Sequence, residues 1–402
     1  MKKIQLLLFA LLGLTNFATA QTTVKLIVTN PLNCSRTEEP VVFKLGQYKN
    51  TKSATVTMAG KEQPCQLDDL DNDGSYDELC FLTNLQPHAK QIYSITLNKV
   101  GSQKIYTPKV YVEMLLNHPK NKTNRQNTYI SSLTVNDDAD PYQILQHHGP
   151  SFESELVAYR IYFDKRQTVD IYGKYRKALE IHDTQFYPDQ KQKAENWGDD
   201  ILWVGETFGL GTFRGWDGNK PLMIEPVKQR TEQIIARGPL RTIVEIKDFG
   251  WNPNGKGTLD VTTRYTLYAG HRDCIVDITF REIPKNYQFA TGIINIKNST
   301  EFSDHKGLRG CWGTDWPVSE KDSAGHKRET VGLGIYIPQK YISSELNANK
   351  DNYPFVISTL SKTIHYGITF GSDNESFGYH SEKEWFTYLK EWKKDLENPI
   401  IY

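Results

Sequence analysis

The stretch His147-His148-Gly149-Pro150-Ser151-Phe152-Glu153-Ser154-Glu155-Leu156-Val157-Ala158-Tyr159-Arg160-Ile161-Tyr162-Phe163-Asp164 gathers the side chains that take protons, give them back and hold an anion. Histidine titrates near neutral pH, and two stand beside a Gly-Pro break, where loop side chains reach over a sheet. His147, His148, Glu153, Tyr159 and Arg160 are therefore the candidate catalytic residues. If the segment after the break is a strand, parity divides it: Tyr159 shares a face with Val157 and Ile161, whereas Arg160 shares the other with Ala158 and Tyr162. Only one of Tyr159 and Arg160 then lines a given cleft. An Arg160 paired with a carboxylate between sheets is the competing reading.

Strand patterns position these residues. Short β-type runs at 24–28, 41–44, 55–58 and 92–97 predict a small β-domain over 21–108. Further runs at 157–163, 168–172, 240–246, 259–268, 274–280, 292–296, 331–337 and 364–370 predict a large antiparallel β-sandwich over 109–402. Ala269-Gly270-His271-Arg272-Asp273 reads as a hairpin turn, with His271 a solvated loop residue. The fold class is all-β with one C-terminal helix: Ser381-Glu382-Lys383-Glu384 reads as a capping box, Trp385, Tyr388, Leu389, Trp392 and Leu396 recur at helical spacing, and Asn398-Pro399 stops it. The polar stretches 117–127 and 189–195 read as loops or linkers.

Residues 1–20 carry Lys2 and Lys3, an apolar run at 4–14 and Ala18-Thr19-Ala20, the pattern of a secretory signal peptide cleaved near Ala20. The expected location is periplasmic or secreted. Lys plus Arg and Asp plus Glu both number 48, so no net field draws the chain to nucleic acid or a membrane. Of the 5 cysteines, Cys65 and Cys80 are the closest pair and the expected disulfide.

Three loops place tryptophan among glycines and charged groups: Trp197-Gly198-Asp199-Asp200, Phe213-Arg214-Gly215-Trp216-Asp217-Gly218 and Gly310-Cys311-Trp312-Gly313-Thr314-Asp315-Trp316. Tryptophan faces stack on sugar rings, and nearby charges bind hydroxyls or a carboxylate. Trp197, Arg214, Trp216, Trp312, Asp315 and Trp316, together with Lys174, are the candidate substrate contacts. Asp69, Asp71, Asp73 and Asp77 surround Gly74 with the spacing of a structural calcium loop, although Cys80 stands where an EF-hand needs glutamate. A plain acidic turn explains the same residues. His182 and His305 read as ordinary surface residues, and no Gly-x-Ser-x-Gly, phosphate loop or His-Glu-x-x-His occurs.

The 147–174 block, with Tyr159-Arg160-Ile161-Tyr162-Phe163-Asp164 and Asp170-Ile171-Tyr172-Gly173, resembles a secreted bacterial family. That family is known mainly as a domain of unknown function encoded in polysaccharide-utilisation loci, and it includes an oligosaccharide dehydratase acting on ulvan fragments. The Asp71-Asn72-Asp73-Gly74-Ser75-Tyr76-Asp77-Glu78-Leu79 turn and Arg237-Gly238-Pro239-Leu240-Arg241 fit the same resemblance. More weakly, the chain resembles exo-acting rhamnogalacturonan lyases, with a small β-domain before a large mutarotase-like β-sandwich.

The resemblance implies a carbon–oxygen lyase that removes water from the non-reducing-end glucuronic acid of an acidic oligosaccharide, leaving a 4,5-unsaturated uronate. In that scheme Arg160 or Arg214 neutralises the carboxylate, and His147, His148 or Tyr159 takes the C5 proton. The other histidine or Glu153 protonates the leaving hydroxyl. No cofactor is required. A chain-cleaving polysaccharide lyase and a non-catalytic glycan-binding protein are the alternatives.

Overall fold

The computed structural model describes residues 21–118, 126–137, 139–255, 257–283, 285, 287–358 and 361–402. The expected signal segment 1–20 and part of the 117–127 stretch lie outside them. As expected, the fold is all-β with a C-terminal helix. Every ladder between its strands is antiparallel, as alternating patterns joined by turns dictate.

Gln21–Thr29, Lys90–Asn98, Ser53–Met58 and Lys61–Gln63 form one small sheet, and Arg36–Lys44, Glu78–Leu85 and Cys65–Asp68 another. They enclose their own apolar core around Val28, Val41, Val56, Leu79, Phe81 and Ile95, which Ile400 of the C-terminal tail joins. Cys65 pairs in register with Phe81, and Cys80 pairs with Gln66. Neighbouring positions on a strand point to opposite faces, so the two thiols face away from each other, and the expected Cys65–Cys80 disulfide does not form.

A nine-stranded sheet runs from Thr300–Ser303 at one edge to Ser132–Asn136 at the other. Its inner face, including Val244, Val276, Leu333 and Phe370, packs against two five-stranded sheets. One of these, ordered Asp199–Asp200, Val169–Gly173, Ala158–Ile161, Ser151–Ser154, Val110–Glu113, carries the residues singled out above.

The helix Glu382–Glu397 lies on the outer face of the large sheet. Ser381 caps it by accepting the Glu384 N–H, but the Glu384 carboxylate bonds the His380 N–H instead of closing the box. Trp385, Leu389 and Trp392 are its buried stripe. They fit because strand glycines leave room: a Cβ at Gly332 would stand 2.5 Å from the Trp385 ring. Stretch 189–195 is not merely a loop. Asp189 and Gln192 form a reciprocal capping box that sustains the short helix Gln190–Ala194 without apolar periodicity. Among the described residues no helix is long and apolar enough to cross a membrane.

Candidate active site

The site-bearing sheet has two unlike faces. Phe152, Tyr159, Ile161, Val169 and Ile171 belong to the core beneath it. The register puts Tyr111, Glu113, Ser151, Glu153, Arg160 and Asp170 together on the other face. Over this polar face lies the segment 174–198, whose Ile181 and Phe186 pack on Ala158 and Tyr172. Gln185 and Phe186 both hold positive φ, at 48° and 65°, a strained turn for residues with side chains. It ends the short helix Ile181–Thr184, which sets His182 at the sheet edge beside Tyr111.

A hydrogen-bonded chain runs inward from that edge. His182 Nδ1 is 3.1 Å from the Tyr111 hydroxyl and 3.4 Å from that of Tyr129. Tyr111 donates to Glu113 Oε2 at 2.6 Å, and Glu113 Oε1 lies 2.8 Å from His147 Nε2. Because the Tyr111 proton goes to Glu113, its oxygen accepts from His182; the network therefore assigns the proton to Nδ1 and leaves the lone pair on Nε2. Burial, and then the Glu113 charge, push the Tyr111 phenol well up, so it stays protonated. His182 and Tyr129 are exposed, whereas Glu113 and His147 are fully buried. His147 Nδ1 has no partner among the described residues.

Arg237 ends the strand Gln229–Arg237 near Tyr111. Its guanidinium donates to Ser131 Oγ at 2.9 Å and, among the described residues, pairs with no carboxylate. Burial lowers its pKa. An exposed guanidinium near Tyr111, with no carboxylate partner among the described residues, can receive a substrate carboxylate.

Several expected site residues have other work. Glu153 and Lys174 form a fully buried ion pair at 2.5 Å. Lys174 also donates to the Ser154 and Ala178 carbonyls, and Glu153 accepts the Glu180 and Ile181 N–H groups. The pair anchors the covering segment and cannot reach a substrate. Tyr159 is buried and donates to the Arg272 carbonyl, on the face away from the histidines. Arg160 is buried against Asp170, its direct cross-strand partner, with Asp200 at 3.1 Å and Phe186 stacked at 4.1 Å. Burial and the neighbouring Asp170 push Asp200 well up. Arg214 is buried among the Lys165 and Thr207 carbonyls and the Thr168 hydroxyl, and burial pulls it down to about 10. Neither arginine is placed to clamp a ligand carboxylate.

His148 turns away from His147. Its ring stacks on Tyr142 at 3.8 Å, its Nδ1 lies 2.8 Å from the Tyr142 carbonyl, and burial lowers its pKa. His182, read as a surface residue in the sequence, takes the exposed acid–base position instead. His271 is not a free loop side chain either: it bridges Asp273 at 3.0 Å and the Glu38 carbonyl at 3.0 Å.

The tryptophans separate. Trp312 packs beneath the C-terminal helix, and Trp216 sits on a short strand opposite Pro221. Trp197 and Trp316 lie at the sheet edge opposite Tyr111, where Trp316 accepts the Trp203 N–H through its carbonyl and the Asp315 carboxylate accepts the Trp316 N–H. Trp203, absent from the sequence candidates, is 47% exposed there. In the acidic turn, oxygens of Asp69, Asp71 and Asp77 lie within 4.8 Å of one another, while Asp73 is turned to the Ser75 N–H. Those three fit the oxygen chemistry of calcium, in the small domain.

A cleft of about 620 Å³ lies between the small domain, the 270–273 turn and the C-terminal helix. Its Arg36, Arg272 and His271 are paired with Glu39, Glu375 and Asp273, and His365 on its wall bonds Asp277 at 2.7 Å.

A family model described as "Domain of unknown function (DUF4861)" matches residues 28–401. Two solved structures from Enterococcus faecalis share 11% identity with the chain. One, a protein in the Glycosyl Hydrolase Family 38, has a TM-score of 0.47, covering 94% of this chain and 47% of that one. The other, an alpha-mannosidase from strain V583, has a TM-score of 0.45, covering 94% and 45%. The chain thus spans about half the length of these proteins. No curated protein matches the chain.

Proposed function

For a chain that belongs to the DUF4861 family, we propose dehydration of the non-reducing-end glucuronate of an acidic, ulvan-type oligosaccharide, outside the cytoplasm. The observation that carries this reading is the exposed His182 backed by Tyr111 and Glu113, with Arg237 near Tyr111 and, among the described residues, without a carboxylate partner. Elimination next to a carboxylate needs these parts: a cation that makes the C5–H acidic, a base for that proton, and an acid for the departing oxygen.

Arg237 binds the carboxylate. His182 Nε2 takes the C5 proton, the C4–O bond breaks as C4=C5 forms, and Tyr129 protonates the leaving hydroxyl to water. His182 then returns its Nδ1 proton to Tyr129 across the 3.4 Å gap, and proton exchange with water at the exposed ring restores the Nδ1–H tautomer, so the net transfer is from C5 to the departing oxygen. Glu113 and His147 hold the Tyr111–His182 tautomer and disperse the imidazolium charge; they are positioning residues. Calcium at Asp69, Asp71 and Asp77 would brace a turn of the small domain and has no step here.

Incubation with oligosaccharides ending in saturated glucuronate tests the proposal. Dehydration gives an intact product lighter by one water, with the near-ultraviolet absorbance of an unsaturated uronate. Two fragments would indicate a chain-cleaving lyase, and bound but unchanged sugar a glycan-binding protein.

A further inference from the structure

The sheet edge opposite His182 has a different character. Trp203 is exposed, its backbone is joined to that of Trp316, and Trp197 lies six residues before it on the same stretch of chain. The charged groups around this rim are mixed in sign. Arg176 lies over the Trp197 ring at 4.8 Å, Lys193 pairs with Asp199 at 2.7 Å, and Arg328 donates to the Thr314 carbonyl. Glu329 stands opposite Asp315 in register and close enough to Asp199 to be pushed up further after burial. The rim therefore joins ring-stacking surface to charged groups of both signs, which hydrogen-bond sugar hydroxyls without a net field for a second carboxylate.

Four interstrand gaps of about 4.8 Å separate the two edges, about 19 Å measured beneath the covering segment 174–198, so a chain joining them passes over that segment and needs more than one sugar ring. We infer that the Trp203–Trp316 rim is a remote subsite for an uncharged sugar unit of the same oligosaccharide whose terminal uronate sits at Arg237. The inference rests on the proposed uronate site for its polarity, and it makes this enzyme a reader of chain length as well as of the terminal unit. Short substrates leave the rim empty, and longer ones gain binding without a change at the reacting carbon.

Binding of xylotetraose, followed by tryptophan fluorescence on the full chain, tests the subsite without turnover; tetragalacturonate is the charged control. Wild type should bind xylotetraose, Trp203→Ala should weaken that binding by about tenfold or more, and Arg237→Ala should leave it unchanged. Tetragalacturonate binding should depend on Arg237 instead. Absence of xylotetraose binding, or binding indifferent to Trp203→Ala, overturns the subsite while leaving the elimination chemistry untouched. Neutral-sugar binding in a protein that dehydrates nothing would keep the subsite and remove the reaction.

Discussion

His182 Nδ1 lies 3.1 Å from the hydroxyl of Tyr111, and that hydroxyl donates its own proton to the buried Glu113. A surface imidazole is thereby tied to a buried carboxylate through a phenol that burial keeps protonated. The tie determines which ring nitrogen carries the proton and leaves Nε2 as the basic one.

Replacing Tyr111 with Phe removes the tie but keeps the ring. Turnover should fall by about 10²–10⁴-fold, more than the lost contact to the buried Glu113 takes from stability, and the acidic limb of the pH profile, where a base is protonated, should shift, since His182 loses its link to Glu113. Steady-state kinetics across pH check this. An unchanged profile would reduce Tyr111 to packing.

Arg237 donates to Ser131 and to no carboxylate among the described residues, so Arg237→Ala should cost little stability. It should lower kcat/KM by about a hundredfold or more through loss of carboxylate neutralisation. Kinetics on acidic substrate beside thermal unfolding separate the two effects. A normal kcat/KM would remove the clamp.

Lys174→Met leaves Glu153 buried without its cation, and breaking such a pair typically costs about 3–5 kcal/mol. Urea unfolding should show that loss in the presence or absence of sugar. A variant of full stability that loses only substrate affinity would return Lys174 to the binding surface.

Burial opposes the charged form of His271, but the Asp273 carboxylate outweighs it, lifting the pKa from 6.5 to about 9. A raised folded-state pKa stabilises fully below 6.5, and that contribution is lost as pH rises through about 9. Its bond to the Glu38 carbonyl makes this a contact between the small domain and the large sheet. Melting temperatures should therefore decline across that window in wild type and less steeply in His271→Gln. Parallel declines would take His271 out of the linkage.

Much of the fold was legible because alternation reports a half-buried strand directly: 274–280 and 259–268 pair about the turn their residues foretell. Parity also separated Tyr159 from Arg160 correctly. It did not show that Asp170 sits directly across from Arg160, which is why Arg160 resembled a free clamp. The same parity, applied across Cys65–Asp68 and Glu78–Leu85, separates Cys65 from Cys80, but only once the register is known. The His182 site was hidden for a related reason. Its partners come from positions 111, 113, 129 and 147, so no local pattern gathers them. Arg237 stands in the 237–241 strand entry, yet that no carboxylate among the described residues pairs with it is a property of the folded surface.

The central claim is that His182 is the base. Purified wild type and His182→Ala, matched by melting temperature, would be incubated with a glucuronate-terminated oligosaccharide and read by mass and near-ultraviolet absorbance. The account predicts a product lighter by one water from wild type and a loss of about 10²-fold or more in its rate of formation from the variant. Formation of that product by His182→Ala at the wild-type rate would contradict it.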